Sequence, residues 1–180
     1  MLGRPIPVAV DADVLMNLLA TGCATEILRA LELTLLTGPT VAGELLYLES
    51  LEVGGQREQI DLTPAEEAGV LSKVILEDRE LGLVIALAQF VDDGEAEVIA
   101  IALTRGIVMA TDDSKARRIA LERGASLLST PELLHRWQDL SNVPAERMTH
   151  VLTLVSRRSR YRPSTTHSLY DWWMSLLTRS

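Results

Sequence analysis

Four acidic sites in this 180-residue chain have surroundings that suit chemistry. Asp11 ends the apolar run Val8-Ala9-Val10. Glu44 stands in Val41-Ala42-Gly43-Glu44-Leu45-Leu46, among small and apolar neighbours. Glu95, with Glu97 close behind, follows the turn Asp92-Asp93-Gly94. Asp112 and Asp113 follow Ile107-Val108-Met109-Ala110-Thr111. The first residue past the C-terminal end of a buried parallel strand meets solvent, at the edge where open α/β sheets bind ligands. Carboxylates crowded there repel one another and are costly unless a cation neutralises them. A hard divalent ion does so with oxygen ligands. It can also polarise a phosphoryl oxygen and supply a nucleophile at neutral pH. Taken singly, each acid has an ordinary explanation, as a helix cap or a solvated helix residue. Four such sites at one sheet edge point instead to metal-assisted chemistry on a phosphodiester.

The elements that must position these acids follow from the pattern. Residues 8–10 predict a strand. Asp13 stands where an N-cap belongs, before the helical run 14–19, with Gly22 as its stop. Residues 25–31 predict a second helix and 33–37 a second strand. Thr40 then opens a helix over 41–51 that carries Glu44. Thr63, Pro64 and Glu66 form a strong start for a helix reaching about Leu81. Residues 83–91 fit a helix or a buried strand equally. A helix over 95–104 ends at Gly106, a strand covers 107–110, a helix 114–123 ends at Gly124, and 126–128 form the last strand. Three helical stretches follow, at 131–140, 144–156 and 166–177. Strand–helix alternation through residue 128 calls for a parallel sheet with helices on both faces.

Composition bounds the rest. The chain is 47% hydrophobic and 23% charged, with a mean hydropathy of +0.16. That supports one domain with a sizeable core. Aromatic residues are only 4%, so the core is built from Leu, Val, Ile and Ala. Cys23 is the sole cysteine, which excludes an intrachain disulfide and a cysteine-built zinc site. Among small apolar residues it reads as core filler. The N-terminus lacks a secretory pattern, and the most apolar window, 83–91, is short of a membrane span. A cytoplasmic protein without membrane attachment is the expectation. Residues 1–99 hold 18 acidic and 5 basic side chains, net −13, and residues 100–180 hold 7 and 12, net +5. This split argues against indiscriminate nucleic-acid binding and fits an acidic pocket beside basic elements. Glu-rich helices coating one side explain many of the same charges.

The stretches VAVDADVLMNLL, VAGELL, DDGEAEVIAIALTRG and IVMATDDSKARRIALERGA resemble the PIN-domain nuclease family, in particular small prokaryotic members related to VapC-type toxins. They span about residues 8–128 in the family's order. GEAE with its Ala-rich helix and TDDSKARRIA are the more distinctive. The resemblance implies a three-layer α/β/α sandwich around a parallel sheet. Residues 1–130 would form the nuclease domain, and 131–180 a helical extension packed on it. It implies a Mg²⁺- or Mn²⁺-dependent ribonuclease, as in the toxin of a toxin–antitoxin pair, with Asp11, Glu44, Glu95 and Asp113 as catalytic acids and metal ligands. Family members place Ala five and seven residues after the third acid, as Ala100 and Ala102 stand to Glu95. Their fourth acid stands two residues after a Thr, here Thr111. Asp112, Glu97 and Asp13 are further candidate ligands. The chain departs from the family at Ala12, where Ser or Thr is common, and at Asp13, where Asn or Ser is. RNA as substrate, an antitoxin protein as partner and a homodimer are family expectations, the last also suggested by the apolar tail.

Lys115, Arg117 and Arg118 follow the last acids closely and are candidates for substrate phosphates, although Arg117 or Arg118 could equally pair with Glu122. Arg157, Arg158, Arg160 and Arg162 surround Tyr161. Guanidinium groups pair bidentately with phosphates, and a ring stacks on an unpaired base. An exposed arm before Pro163 would serve that purpose, and a charged helix end completing the dipole explains it as well. Trp172 and Trp173, beside Leu169, Leu176 and Leu177 at helical spacing, read as a packing or oligomer face. His135, His150 and His167 form no metal spacing.

Two rival readings use the same residues. Asp11-Ala12-Asp13 also fits a haloacid-dehalogenase-like phosphohydrolase, with Asp11 as nucleophile and Asp13 as general acid. That reading expects a Lys before the late acids, for which only Lys73 stands in range, inside a predicted helix. It also leaves Glu44 and Glu95 idle. A catalytically silent PIN-fold binding module is the other alternative, and for it the crowded carboxylates are a liability.

Overall fold

Burial on both faces makes a strand of β1 (Ile6–Val10), whose last three residues are wholly inaccessible in the computed structural model, which describes residues 4–44, 46–52 and 54–178. The chain continues through α1 (Ala12–Ala20), α2 (Ala24–Ala30), β2 (Leu33–Thr37), α3 (Pro39–Gly43), β3 (Tyr47–Leu48) and β4 (Glu58–Gln59). Then come α4 (Thr63–Glu67), β5 (Leu71–Lys73), α5 (Asp78–Leu87), α6 (Asp93–Arg105), β6 (Val108–Ala110) and α7 (Ser114–Glu122). The last are β7 (Leu127–Leu128), α8 (Thr130–Ser141), α9 (Ala145–Arg158) and α10 (Tyr170–Leu177).

The main sheet is parallel throughout, in the order β5-β2-β1-β6-β7. β3 and β4 form a separate antiparallel pair. α6 packs on β1 and against α5, whereas α1 and α2 pack with α8 and α9, and α9 with α10. The result is a three-layer α/β/α sandwich. The chain runs outward from β1 to β2 and β5, then returns to β6 and β7 on the other side. Connections therefore diverge between β1 and β6, opening the crevice in which α/β sheets bind ligands. Among the described residues no helix is long and apolar enough to cross a membrane.

Several predicted elements change. Asp11, not Asp13, is the N-cap of α1: its Oδ1 accepts from the Val14 N–H at 2.7 Å. The predicted helix 41–51 ends at Gly43, leaving Glu44 extended at φ −69°, ψ 140°. Beyond it, buried Leu46 and Leu48 flank exposed Tyr47, a period-two burial that draws the chain into β3. The predicted helix 63–81 stops after α4, with Gly69 at φ +72° turning the chain. Leu71 then pairs with Leu35, so Lys73 lies at a strand end, ion-paired to Glu66 at 3.0 Å. Residues 83–87 prove helical, behind a capping box of Glu77 and Glu80. Trp173 is wholly buried and lies edge-on to Tyr161 at 5.6 Å, which makes it a packing residue.

One buried ion pair fixes α6 against α5. The wholly buried Glu80 accepts from Arg105 Nε at 2.7 Å and Nη2 at 3.0 Å, from Thr104 Oγ1 at 2.9 Å and from its own capping partner Glu77 N at 2.8 Å. The Arg105 guanidinium foremost holds the Glu80 carboxyl down to about 2. The helix carrying Glu95 is thereby fixed from its far end.

Candidate active site

Asp11 lies immediately beyond β1, and its backbone N–H donates to Ala110 O at 3.2 Å, aligning it with the end of β6. Its side chain caps α1 and is only 6% exposed. Asp13 follows on the first turn of α1. Glu44 comes from the C-terminal end of α3. Asp92 caps α6, taking the Glu95 N–H at 2.8 Å, while Glu95 Oε2 takes the Asp92 N–H at 3.4 Å. Asp11, Asp13, Glu44, Asp92 and Glu95 line one cavity of about 160 Å³, together with Ala12, Val41 and Gly94. Among the described residues no Lys or Arg lines it.

The electrostatics reflect that imbalance. Burial pushes the Asp11 carboxyl up to about 7, and Asp112 and Asp13 add to the effect against hydrogen bonds from Thr111 and Val14. Asp13, Glu44 and Glu95 are also pushed up, each first by burial and then by neighbouring carboxylates. Asp92 acts on all three, and Asp113 acts on Asp13 and Glu95. Asp113 is thus coupled to the basin, although its side chain borders a neighbouring cavity and caps α7 through Ala116 N at 2.7 Å.

The two close pairs of acids separate. Glu95 lines the basin, whereas Glu97 turns away to cap α3, taking the Thr40 N–H at 2.9 Å and hydroxyl at 2.7 Å. Asp112 is saturated: Asn17 Nδ2 and Thr130 N each donate at 3.0 Å, and Thr130 Oγ1 at 2.5 Å. The Tyr161 hydroxyl lies near enough to favour its charged form as well. It ties α1, α8 and the C-terminal segment to the end of β6.

The donors at the basin are all hard oxygens carrying uncompensated charge, and that chemistry fits a Mg²⁺- or Mn²⁺-sized cation. Their spacing is open: among the described residues no three Asp, Glu, His or Cys side chains form a closed metal group. Asp11, Asp92, Asp113 and Glu95 each have an oxygen engaged in a helix-start hydrogen bond, which holds them short of convergence. A cation would have to draw Glu44 and Glu95, the longer side chains, toward Asp11.

The basic candidates divide likewise. Arg117 Nη1 donates to Thr111 O at 2.9 Å and Leu128 O at 3.2 Å, bracing the ends of β6 and β7. Arg118 pairs with Glu122 at 2.9 Å. Lys115 lies near enough to Glu95 to act on its carboxyl. Arg157 is exposed. Arg158 pairs with Glu58 at 2.8 Å and Arg160 with Glu49 at 3.2 Å, so the expected free arm is docked on the β3–β4 region. There, Arg57, Arg158, Arg160 and Tyr47 border a second cavity, of about 320 Å³, which shares Glu44 with the acidic basin.

Sequence reasoning passed over Asp92, treating it as a turn residue, although the spacing Asp92-x-x-Glu95 is a capping box that would have brought both acids to one helix start. It also gave His167 no role, yet this residue borders a third cavity beside Asp113. A PIN-domain family model matches residues 7–169, reaching well beyond the motifs of 8–128. No curated protein and no solved structure matches the chain.

Proposed function

The chain belongs to the PIN-domain family, and on that premise we propose that it is a divalent-metal-dependent endoribonuclease whose chemistry takes place at the acidic basin. The observation that carries this reading is the raised set Asp11, Asp13, Glu44 and Glu95 around one cavity that no described Lys or Arg lines. Asp11, Glu44, Glu95 and Asp113 would hold Mg²⁺ or Mn²⁺, with Asp13 and Asp92 adding charge beside them. A bound divalent ion supplies Lewis-acid stabilisation of a phosphoryl oxygen and a water nucleophile at neutral pH. Asp112 and Glu97 position the ends of β6 and α3 rather than reach the cation. Lys115 and the Arg57, Arg158 and Arg160 group flank the basin and offer charge to the phosphates on either side of the cut. Arg157 extends that surface. Arg117, held by two backbone carbonyls, contributes through long-range charge, and Arg118 stands exposed in a surface pair with Glu122.

The test is cleavage of end-labelled single-stranded RNA by the purified chain over a range of Mn²⁺. Cleavage is expected, abolished by EDTA. Asp11→Asn is expected to lose at least the 10–100-fold that follows removal of a supporting group at a metal site. The rate should rise with pH through about 7, because the ion needs deprotonated ligands and burial holds the proton on Asp11. Intact RNA with hydrolysis of a small phosphomonoester would transfer the chain to the phosphohydrolase reading. Intact RNA with tight Mn²⁺ binding and no hydrolysis would make it a binding module.

A further inference from the structure

The third cavity, of about 590 Å³, is unused by the reading above. It lies within the roughly 300–1,000 Å³ of small-ligand sites. Asp113 stands on its rim, and the charge of Asp113 also acts on Asp13 and Glu95 in the basin. The opposite wall is the irregular segment 159–169 between α9 and α10, and that wall is fixed at two points. The Tyr161 hydroxyl lies near enough to the Asp112 carboxylate to favour its charged form. His167 Nδ1 accepts from the Leu169 N–H at 3.0 Å, and its Nε2 lies 3.0 Å from Ser129 Oγ. A ring that accepts at Nδ1 is neutral and carries its proton on Nε2, which then donates to Ser129 Oγ. The Ser129 hydroxyl in turn donates to Glu132 Oε2 at 2.7 Å.

With both ring nitrogens engaged, the free surface of His167 is its faces. Arg162, on the same wall, is exposed and makes no ion pair among the described residues, unlike Arg158 and Arg160. Ser114, Ser164 and Thr166 add hydroxyls, and Arg117, held by two backbone carbonyls, and the Asp112 carboxylate, already engaged by Asn17 and Thr130, also line it. An imidazole plane, a guanidinium plane and neutral hydroxyls suit an unstacked base with its ribose better than a second cation or an apolar ligand. We propose that this cavity receives the ribonucleotide adjoining the cleaved phosphate of single-stranded RNA, with Arg162 and His167 stacking against its base. The inference rests on the nuclease reading, because the shared Asp113 rim is what puts the nucleotide next to the scissile bond.

The experiment is fluorescence anisotropy of a labelled single-stranded decaribonucleotide, with Ca²⁺ replacing Mn²⁺, against wild type, Arg162→Ala, His167→Ala, His167→Phe and Arg79→Ala. Kd is expected to rise about tenfold for Arg162→Ala and for His167→Ala, as for loss of a stacking partner. His167→Phe should restore most of the affinity by restoring a plane, and Arg79→Ala, on the far helix α5, should match wild type. Kd values within about twofold of wild type for both alanine variants would overturn the subsite, as would a His167→Phe variant as weak as His167→Ala. A wild-type chain that binds with these losses but never cuts the decamer in Mn²⁺ defeats the nuclease reading and leaves the nucleotide site standing. A chain that cuts, with unchanged Kd in both alanine variants, defeats the subsite alone.

Discussion

Asp11 serves two demands that conflict. As the N-cap of α1 it is favoured as an anion by the helix start, yet burial holds its carboxyl near 7. The folded state therefore keeps a proton that the unfolded chain releases near its ordinary 3.8, so this group lowers stability as pH rises from about 4 to about 7. Asp11→Asn keeps a side chain able to cap and removes the charge. In EDTA near pH 8 the variant should be more stable than wild type by about 2–4 kcal/mol, at roughly 1.4 kcal/mol per pKa unit, with little difference near pH 4. Urea unfolding at both pH values checks this, and a difference independent of pH would contradict it. The places of Asp11 and Asp113 were legible because an acid closing a short apolar run has few other readings. The choice of Asp11 over Asp13 as cap was not, since both precede the same helical run and either could close its first turn. Glu97 was indistinguishable from Glu95 by composition. Only the fold shows Glu97 turned onto Thr40, two residues along the same helix.

At the scale of elements, α3 sets where Glu44 stands, and Glu97 fixes the start of α3. A Cβ on Gly38 would collide with the Glu97 carboxylate. Gly38→Ala should therefore displace α3, cost about 1–3 kcal/mol as overpacking does, and weaken Mn²⁺ binding although neither residue lines the basin. Thermal unfolding and a Mn²⁺ titration of the variant measure the two effects. A destabilised variant with wild-type Mn²⁺ affinity would unlink α3 from the site. The Glu80–Arg105 pair is the corresponding device for α6. Glu80 is depressed from 4.5 to about 2, so its contribution is full above about 4.5 and fades as pH falls toward 2. Glu80→Ala leaves Arg105 partly buried without its partner and should cost about 3 kcal/mol at neutral pH, with a smaller loss near pH 3 in the same unfolding assay. Most of the longer helices and the strands β1, β2 and β6 were readable because their apolar periods are strong. α3, β5 and α5 were not, α5 falling across the end of the helix expected to reach Leu81 and the ambiguous stretch 83–91. β5 is a three-residue edge strand whose identity comes from pairing with β2, and α3 is cut short by burial of Leu46 and Leu48 rather than by a local stop residue.

On the scale of the molecule, the acidic and basic halves meet at the switch between β1 and β6. The basin is lined by the acidic half, with Asp113 and Lys115 of the basic one acting on it by charge, while Arg158 and Arg160 border the adjoining cavity that shares Glu44. The C-terminal helices carried no motif, because their part is packing: Trp137, Leu152 and Trp173 are wholly buried. Their reach into the site through Tyr161 and His167 depends on contacts between residues far apart in the chain, which periodicity does not reveal. Metal-assisted cleavage requires the basin to be a cation site built on Asp11. Calorimetric titration of Mn²⁺ into wild type and Asp11→Asn, near pH 6.5 and near pH 8, tests it most directly. Wild type should bind more tightly at the higher pH and release protons at the lower one, as ligands that must deprotonate require, and Asp11→Asn should bind at least about tenfold more weakly at both. Equal Mn²⁺ affinity in the two proteins, unchanged by pH, would contradict it.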